Sequence, residues 1–236
     1  MKFSLRARPL IAEFLGTSFL VAAVVGSGIM GERLAGGNIA IALLANTIAT
    51  GAALVALILT FGPISGAHLN PVVTLADAIE SGIAWREVPI YMTAQFAGGI
   101  LGAILAHLMF GLRWYSFSTR IRSGWPLVLS EFVATFGLVS VIWGCTRTKP
   151  NATPFAVAAY ITSAYWFTAS TSFANPAVTV ARALSNTFAG IRPADAPLFL
   201  IAQIAGALAA TFLFRWLVPG LRANAKAIVV PHETTE

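Results

Sequence analysis

Asn70-Pro71-Val72-Val73-Thr74 returns almost unchanged as Asn175-Pro176-Ala177-Val178-Thr179. Each copy opens an apolar stretch of about ten residues, near 71–80 and 176–185, where a membrane-spanning helix needs about twenty. At 1.5 Å per residue, ten residues reach about 15 Å, half the thickness of a bilayer's hydrocarbon core. A lone Asn-Pro marks only a turn or a helix start. Two copies with matching flanks, one in each half of the chain, predict two half-helices that meet end to end inside a membrane. They point to a pore rather than to an enzyme's active site.

Composition supports that setting. The chain has 236 residues, 57% of them hydrophobic and 10% charged, where a soluble domain carries about 25% charge. Six apolar runs read as spanning helices, at about 10–31, 38–61, 88–110, 126–146, 152–169 and 194–218. The expected fold class is therefore an all-α membrane protein, with six transmembrane helices plus two re-entrant half-helices in an inverted repeat. Lys2, Arg6 and Arg8 before the first run imitate a signal peptide, but Glu13 within it and the spans that follow predict a retained helix. The net charge of +6 sits at the ends of apolar spans, which fits topology and anionic headgroups and not nucleic acid. The single cysteine, Cys145, excludes an internal disulfide, and His68, His107 and His232 lie too far apart for metal-ligand spacing. No cofactor and no metal is expected.

The order of three landmarks repeats. Ala12-Glu13-Phe14-Leu15-Gly16-Thr17 resembles Ser130-Glu131-Phe132-Val133-Ala134-Thr135, and Ala94-Gln95-Phe96-Ala97-Gly98 resembles Ala202-Gln203-Ile204-Ala205-Gly206, with an Asn-Pro copy inside each half. The expected organisation is one channel domain over 1–236, with repeats at about 10–110 and 126–218 and a polar tail at about 222–236. Three spans per half is an odd number, so the second half must be inverted, which places a functional site near the midplane. Of the fifteen Lys and Arg residues, nine fall on the side of the N-terminus and six on the other. That bias predicts cytoplasmic N- and C-termini.

Asn is a favoured N-cap, and Pro suits the first helical position because its missing N–H is not needed there. Asn70 and Asn175 should therefore cap helices that begin at Pro71 and Pro176. Two positive helix ends meeting at the midplane repel cations. The Asn amides offer donors to a passing oxygen, and the unwound backbone before each cap offers carbonyl acceptors. Irregular backbone at membrane depth is tolerated only where it lines a cavity or is buried. The combination suits small, neutral, oxygen-bearing solutes.

The run Ser65-Gly66-Ala67-His68-Leu69-Asn70-Pro71-Val72-Val73-Thr74 resembles the first signature of the aquaporin, or major intrinsic protein, superfamily, and the likeness extends from Glu13 to about Trp216. The resemblance implies one pore per subunit, usually in a homotetramer, in a cell membrane such as a bacterial inner membrane. It makes Asn70, Pro71, Val72, Asn175, Pro176 and Ala177 the pore motif. Val72 stands where Ala is usual, and Val178 where the family usually has an Arg that narrows the outer constriction and repels cations. Arg182 lies one helical turn further, aligns with Asp77 of the first repeat, and need not replace the lost charge. Carried over by ungapped spacing, the other filter positions are Thr50, Ser163 and Ser172. With Val178 they predict a small, mildly polar, uncharged constriction without bulky aromatics. The run from Trp166 to Val178 resembles a bacterial aquaglyceroporin-like branch associated with arsenic resistance, whose metalloid hydroxides mimic neutral polyols.

Glu13 and Glu131 are intramembrane carboxylates, expensive unless partnered. The resemblance makes them anchors for the backbone leading into each half-helix, with His68 in the same loop region; a pH-sensing or pore-lining His68 is the other reading. The expected function is a passive channel for water, glycerol-like polyols and metalloid hydroxides, arsenicals included, with the lipid bilayer as its other partner. The rivals are a secondary transporter that couples ions through the two glutamates, and a structural membrane protein with an occluded pore.

Overall fold

The structure, a computed structural model, describes the backbone of residues 2–218 and the side chains of 7–146 and 148–218. The expected polar tail lies outside the described residues. Eight α-helices follow one another among the described residues: α1 Lys2–Leu34, α2 Ile39–Ser65, α3 Pro71–Ile79, α4 Val88–Met109, α5 Trp125–Thr148, α6 Thr153–Phe167, α7 Pro176–Ala183 and α8 Ala196–Leu217. No strand occurs among the described residues; Ser116 and Ser185 form one isolated bridge.

Five of the helices are long and apolar enough to cross a membrane. Their outward residues are large and apolar: Phe19 is 56%, Ile48 59% and Ile201 63% exposed, which is lipid-facing surface in a membrane helix. The sixth span differs from expectation in length. α6 has 15 residues, about 22 Å: a 3₁₀ turn over Pro150–Ala152 takes its expected first residue, and the helix stops at Phe167, where Thr168 turns extended (φ −109°, ψ 136°). At about 2 Å per residue the turn adds roughly 6 Å, so the pair comes close to a full crossing. α1 starts well before the apolar run, since backbone hydrogen bonding continues past the hydrophobic boundary that sequence alone detects.

The halves pack alike. α1 lies against α2 and α4, as α5 lies against α6 and α8, and α2 meets α6 across the halves. Close approach is set by glycine: a methyl on Gly98 would strike the Phe14 carbonyl oxygen, and one on Gly206 the equivalent Phe132 carbonyl oxygen. Glu13 and Glu131 are thereby held beside the loops that precede α3 and α7.

Candidate functional site

α3 and α7 are 9 and 8 residues long, about 12–14 Å each, and their N-termini meet between the halves. Asn70 Oδ1 accepts from Val72 N (3.1 Å), and Asn175 Oδ1 from Ala177 N (2.9 Å) and Val178 N (3.2 Å). Pro71 and Pro176 occupy the first helical positions. Each asparagine also reaches into the other loop. Asn70 Nδ2 donates to the Ala174 carbonyl and Asn175 Nδ2 to the Leu69 carbonyl, both at 2.8 Å. An amide carries two N–H donors, so each asparagine keeps one beyond this bond. Both asparagines line a cavity that runs between the halves.

The loops before the caps are strained. Ala67 and Leu69 have φ of 46° and 49°, and Ser172 and Ala174 48° each. Left-handed backbone costs a non-glycine residue about 1–2 kcal/mol. Charge-assisted hydrogen bonds offset that cost. Glu13 Oε1 accepts from His68 N (2.9 Å) and Ser65 Oγ (2.7 Å), and its Oε2 from Leu69 N and Gln95 Nε2, both at 2.7 Å. Glu131 accepts from Phe173 N and Ala174 N, both at 2.9 Å, and from Gln203 Nε2 at 2.6 Å. Gln95 also donates to Thr74 Oγ1 and Gln203 to Thr179 Oγ1, each at 2.9 Å. Carboxylate, glutamine and threonine tie each loop to its half-helix. His68 lies in the first such cluster and also lines the cavity. Its Nδ1 is 3.1 Å from Thr74 Oγ1 and its Nε2 3.3 Å from Asp77 Oδ2.

Of the four expected filter positions, Thr50, Ser172 and Val178 line the cavity and are buried. Ser163 does not: it is exposed and donates to the Tyr160 carbonyl at 2.7 Å. The cavity-facing side of α6 carries Val157, Ile161 and Tyr165, spaced four apart along one helical stripe. Ser163 lies two residues, about 200° of rotation, from either neighbour in that stripe. Tyr165 lies beside Thr50 instead, with its hydroxyl 3.3 Å from Thr50 Oγ1. Phe173 also lines the cavity, so the expectation of a constriction without bulky aromatics is corrected. Arg182 lines it too. The period of four on α6 and the four-residue step from Val178 to Arg182 were the sequence signals for these residues. Phe173 had no comparable signal.

The segment between the halves closes over the second loop. Ser116 N and Ser118 N donate to the Leu184 and Ala183 carbonyls at 3.0 Å. Arg122 reaches inward, with Nε on the Gly190 carbonyl (2.8 Å) and Nη1 on the Ser170 carbonyl (3.1 Å). Burial, with neighbouring Arg120, brings the Arg122 guanidinium down to about 10, so it stays charged at neutral pH.

This geometry has a family. The model of the major intrinsic protein family matches residues 1–165 and 148–236. The chain belongs to that family. It is similar to the aquaglyceroporin AqpS of Rhizobium meliloti (strain 1021), 54% identical over 215 residues that cover 91% of this chain and 92% of that protein. It is 38% identical to aquaporin NIP1-4 of Oryza sativa subsp. japonica over 136 residues, 56% of this chain and 48% of that longer protein. The fold matches the aquaglyceroporin from Plasmodium falciparum with a TM-score of 0.67 at 19% identity, over 92% of this chain and 99% of that one. The protein is a multi-pass membrane channel for small uncharged solutes and not an enzyme.

Proposed function

We propose that this channel passes water, glycerol-sized polyols and neutral metalloid hydroxides, and that Thr50, Tyr165, Ser172 and Val178 form its narrow part. The observation that carries this reading is the cavity beneath the two crossed asparagine caps. It is lined mainly by apolar side chains, with a few polar groups from both halves. An apolar wall disfavours hydrated ions. The Asn70 and Asn175 amides supply donors where a solute sheds its water. The likeness to an aquaglyceroporin over most of its length supports polyols as solutes. The resemblance of the Trp166–Val178 run to an arsenic-associated branch supports metalloid hydroxides. Residues 10–110 and 126–218 act as the two repeats of one channel domain. The protein works as a homotetramer in a bacterial inner membrane with both termini in the cytoplasm.

Ion coupling is disfavoured because both intramembrane carboxylates are committed to loop backbone and glutamine. Stopped-flow permeability of the purified protein in liposomes tests the reading. Glycerol and arsenous acid fluxes should rise linearly with concentration and ignore ion gradients. Saturation together with gradient-driven accumulation would replace the channel by a transporter.

A further inference from the structure

Val178 leaves the second half-helix uncharged three residues after its cap. The same side of α7 carries Arg182 one turn later, and side chains on a helix lean toward its N-terminus. Arg182 therefore runs back along α7 toward Val178. Its guanidinium carbon lies 3.3 Å from the centre of the Phe173 ring, and its Nε donates to the Ala189 carbonyl. The residue is only 2% exposed, yet it lines the cavity. Its Nη1 is buried and meets no protein acceptor, and the same holds for Ser172 Oγ beside it on the lining. Among the described lining residues Arg182 alone carries a permanent charge. No carboxylate lies within ion-pair distance of it among the described residues.

Arg122 stands on the same ring, with its guanidinium carbon 5.1 Å from the Phe173 centre. Its Nε and Nη1 are occupied by loop carbonyls, so it braces the loop. Phe173 holds Arg182 through the attraction of a cation to a ring face. The aromatic thus holds a charge that no salt bridge among the described residues holds.

We propose that Arg182 is the charge-selecting residue of this channel. It restores, from a backbone position four residues or about 6 Å further along α7, the positive charge absent at Val178. The pore is then wide at Val178 and still closed to cations. To the cation repulsion expected of the midplane helix ends, Arg182 adds a second barrier in series. The solutes admitted are planar or polyhydroxylated neutral molecules, and organic cations of the same shape are rejected. This proposal rests on the neutral-solute reading above.

Urea and guanidinium test it, because they share size and planarity and differ by one charge. Their uptake is measured in liposomes carrying the wild-type protein, Arg182→Gln, and the double variant Arg182→Gln/Val178→Arg, at equal protein abundance. Gln keeps an N–H at the place of Nε for the Ala189 carbonyl and removes the charge together with the guanidinium that lies on Phe173. The guanidinium-to-urea permeability ratio should be below about 0.01 in the wild type and rise about tenfold or more in Arg182→Gln. It should fall back in the double variant, where a cation again stands within one turn; a merely structural role for Arg182 predicts no such return. An unchanged ratio in Arg182→Gln overturns the proposal, as does a wild type that passes guanidinium as readily as urea. If Arg182→Gln fails to reach the membrane, Arg182→Lys takes its place and must keep the ratio low; a high ratio there overturns the proposal. A wild type that passes neither urea nor glycerol refutes the neutral-solute reading first, and this proposal with it.

Discussion

His68 and Phe173 stand at equivalent places, two residues before Asn70 and Asn175. In the first loop the imidazole Nε2 lies 3.3 Å from Asp77 Oδ2. In the second, the ring at that place lies 3.3 Å from the guanidinium carbon of Arg182, and Arg182 aligns with Asp77. One half holds a histidine against an acid, the other an aromatic against a base. Beneath them the halves agree, with Glu13 and Glu131, Gln95 and Gln203, and Thr74 and Thr179 in the same roles. The left-handed loops require buried acceptors for their backbone N–H groups, so the anchors cannot diverge without loss of the fold. The side chains two residues before each cap carry no such demand, and there the two halves differ.

Removal of an anchor should have the largest effect. Glu13→Leu and Glu131→Leu leave buried donors without an acceptor at about 1–3 kcal/mol each, enough to deplete the folded protein in the membrane. Glu13 accepts four hydrogen bonds and Glu131 three, so Glu13→Leu should be the worse. Gln at either place keeps one carbonyl acceptor and should retain part of the function. Yield of monodisperse protein in detergent measures this. Equal losses for Leu and Gln would break the claim that both halves are held by hydrogen bonding to a carboxylate.

Next come the caps. Asn70→Ala and Asn175→Ala each remove a helix cap, typically worth about 1 kcal/mol, and one cross-loop bond of 2.8 Å. Because the bonds are reciprocal, the two variants should lower glycerol flux several-fold and to a similar degree. Wild-type flux in well-folded Asn175→Ala would remove the asparagines from the conduction path.

Val178→Arg sharpens the contrast between the halves. It adds a rigid fork of donors to the lumen, close to the charge of Arg182. Glycerol and metalloid permeation should fall several-fold more than water permeation at equal membrane abundance. An unchanged glycerol-to-water ratio would mean that Val178 does not border the narrowest part.

The smallest effect is expected where the half-helices end. Arg215 Nε donates to Glu80 Oε1 at 2.8 Å, and Arg215 Nη2 to the Ile79 carbonyl at 3.1 Å. The equivalent place in the other half has His107, with Nε2 2.8 Å from Ser185 Oγ and Nδ1 2.9 Å from the Arg113 carbonyl. Hydrogen bonds to charged groups contribute about 1.5–3 kcal/mol and neutral ones about 1. Arg215→Met should therefore lower the thermal midpoint more than His107→Phe, with flux nearly unaffected in both. The reverse order would show that the two latches are not equivalent.

Much of this was legible along the chain because it is written locally. A cap is an Asn before a Pro, a half-helix is an apolar run too short to span, and a repeat is three landmarks in the same order. Those signals gave Asn70 and Asn175 as a pair and the inverted order, while the family resemblance made Glu13 and Glu131 companions to the loops. Spacing alone misplaced one filter position, since two residues along a helix carry a side chain to the far face. Only the rotation of α6 in the packed bundle put Tyr165 rather than Ser163 beside Thr50. The sequence likewise contained Arg182 and Phe173 without their relation. A guanidinium in a buried wall has to find partners in space, and here they are a ring nine residues earlier and a carbonyl seven residues later. Local chemistry determined where the chain turns back inside the membrane. Tertiary packing decided which side chains the pore presents, because orientation toward a shared lumen is a property of neighbouring helices and not of any one segment.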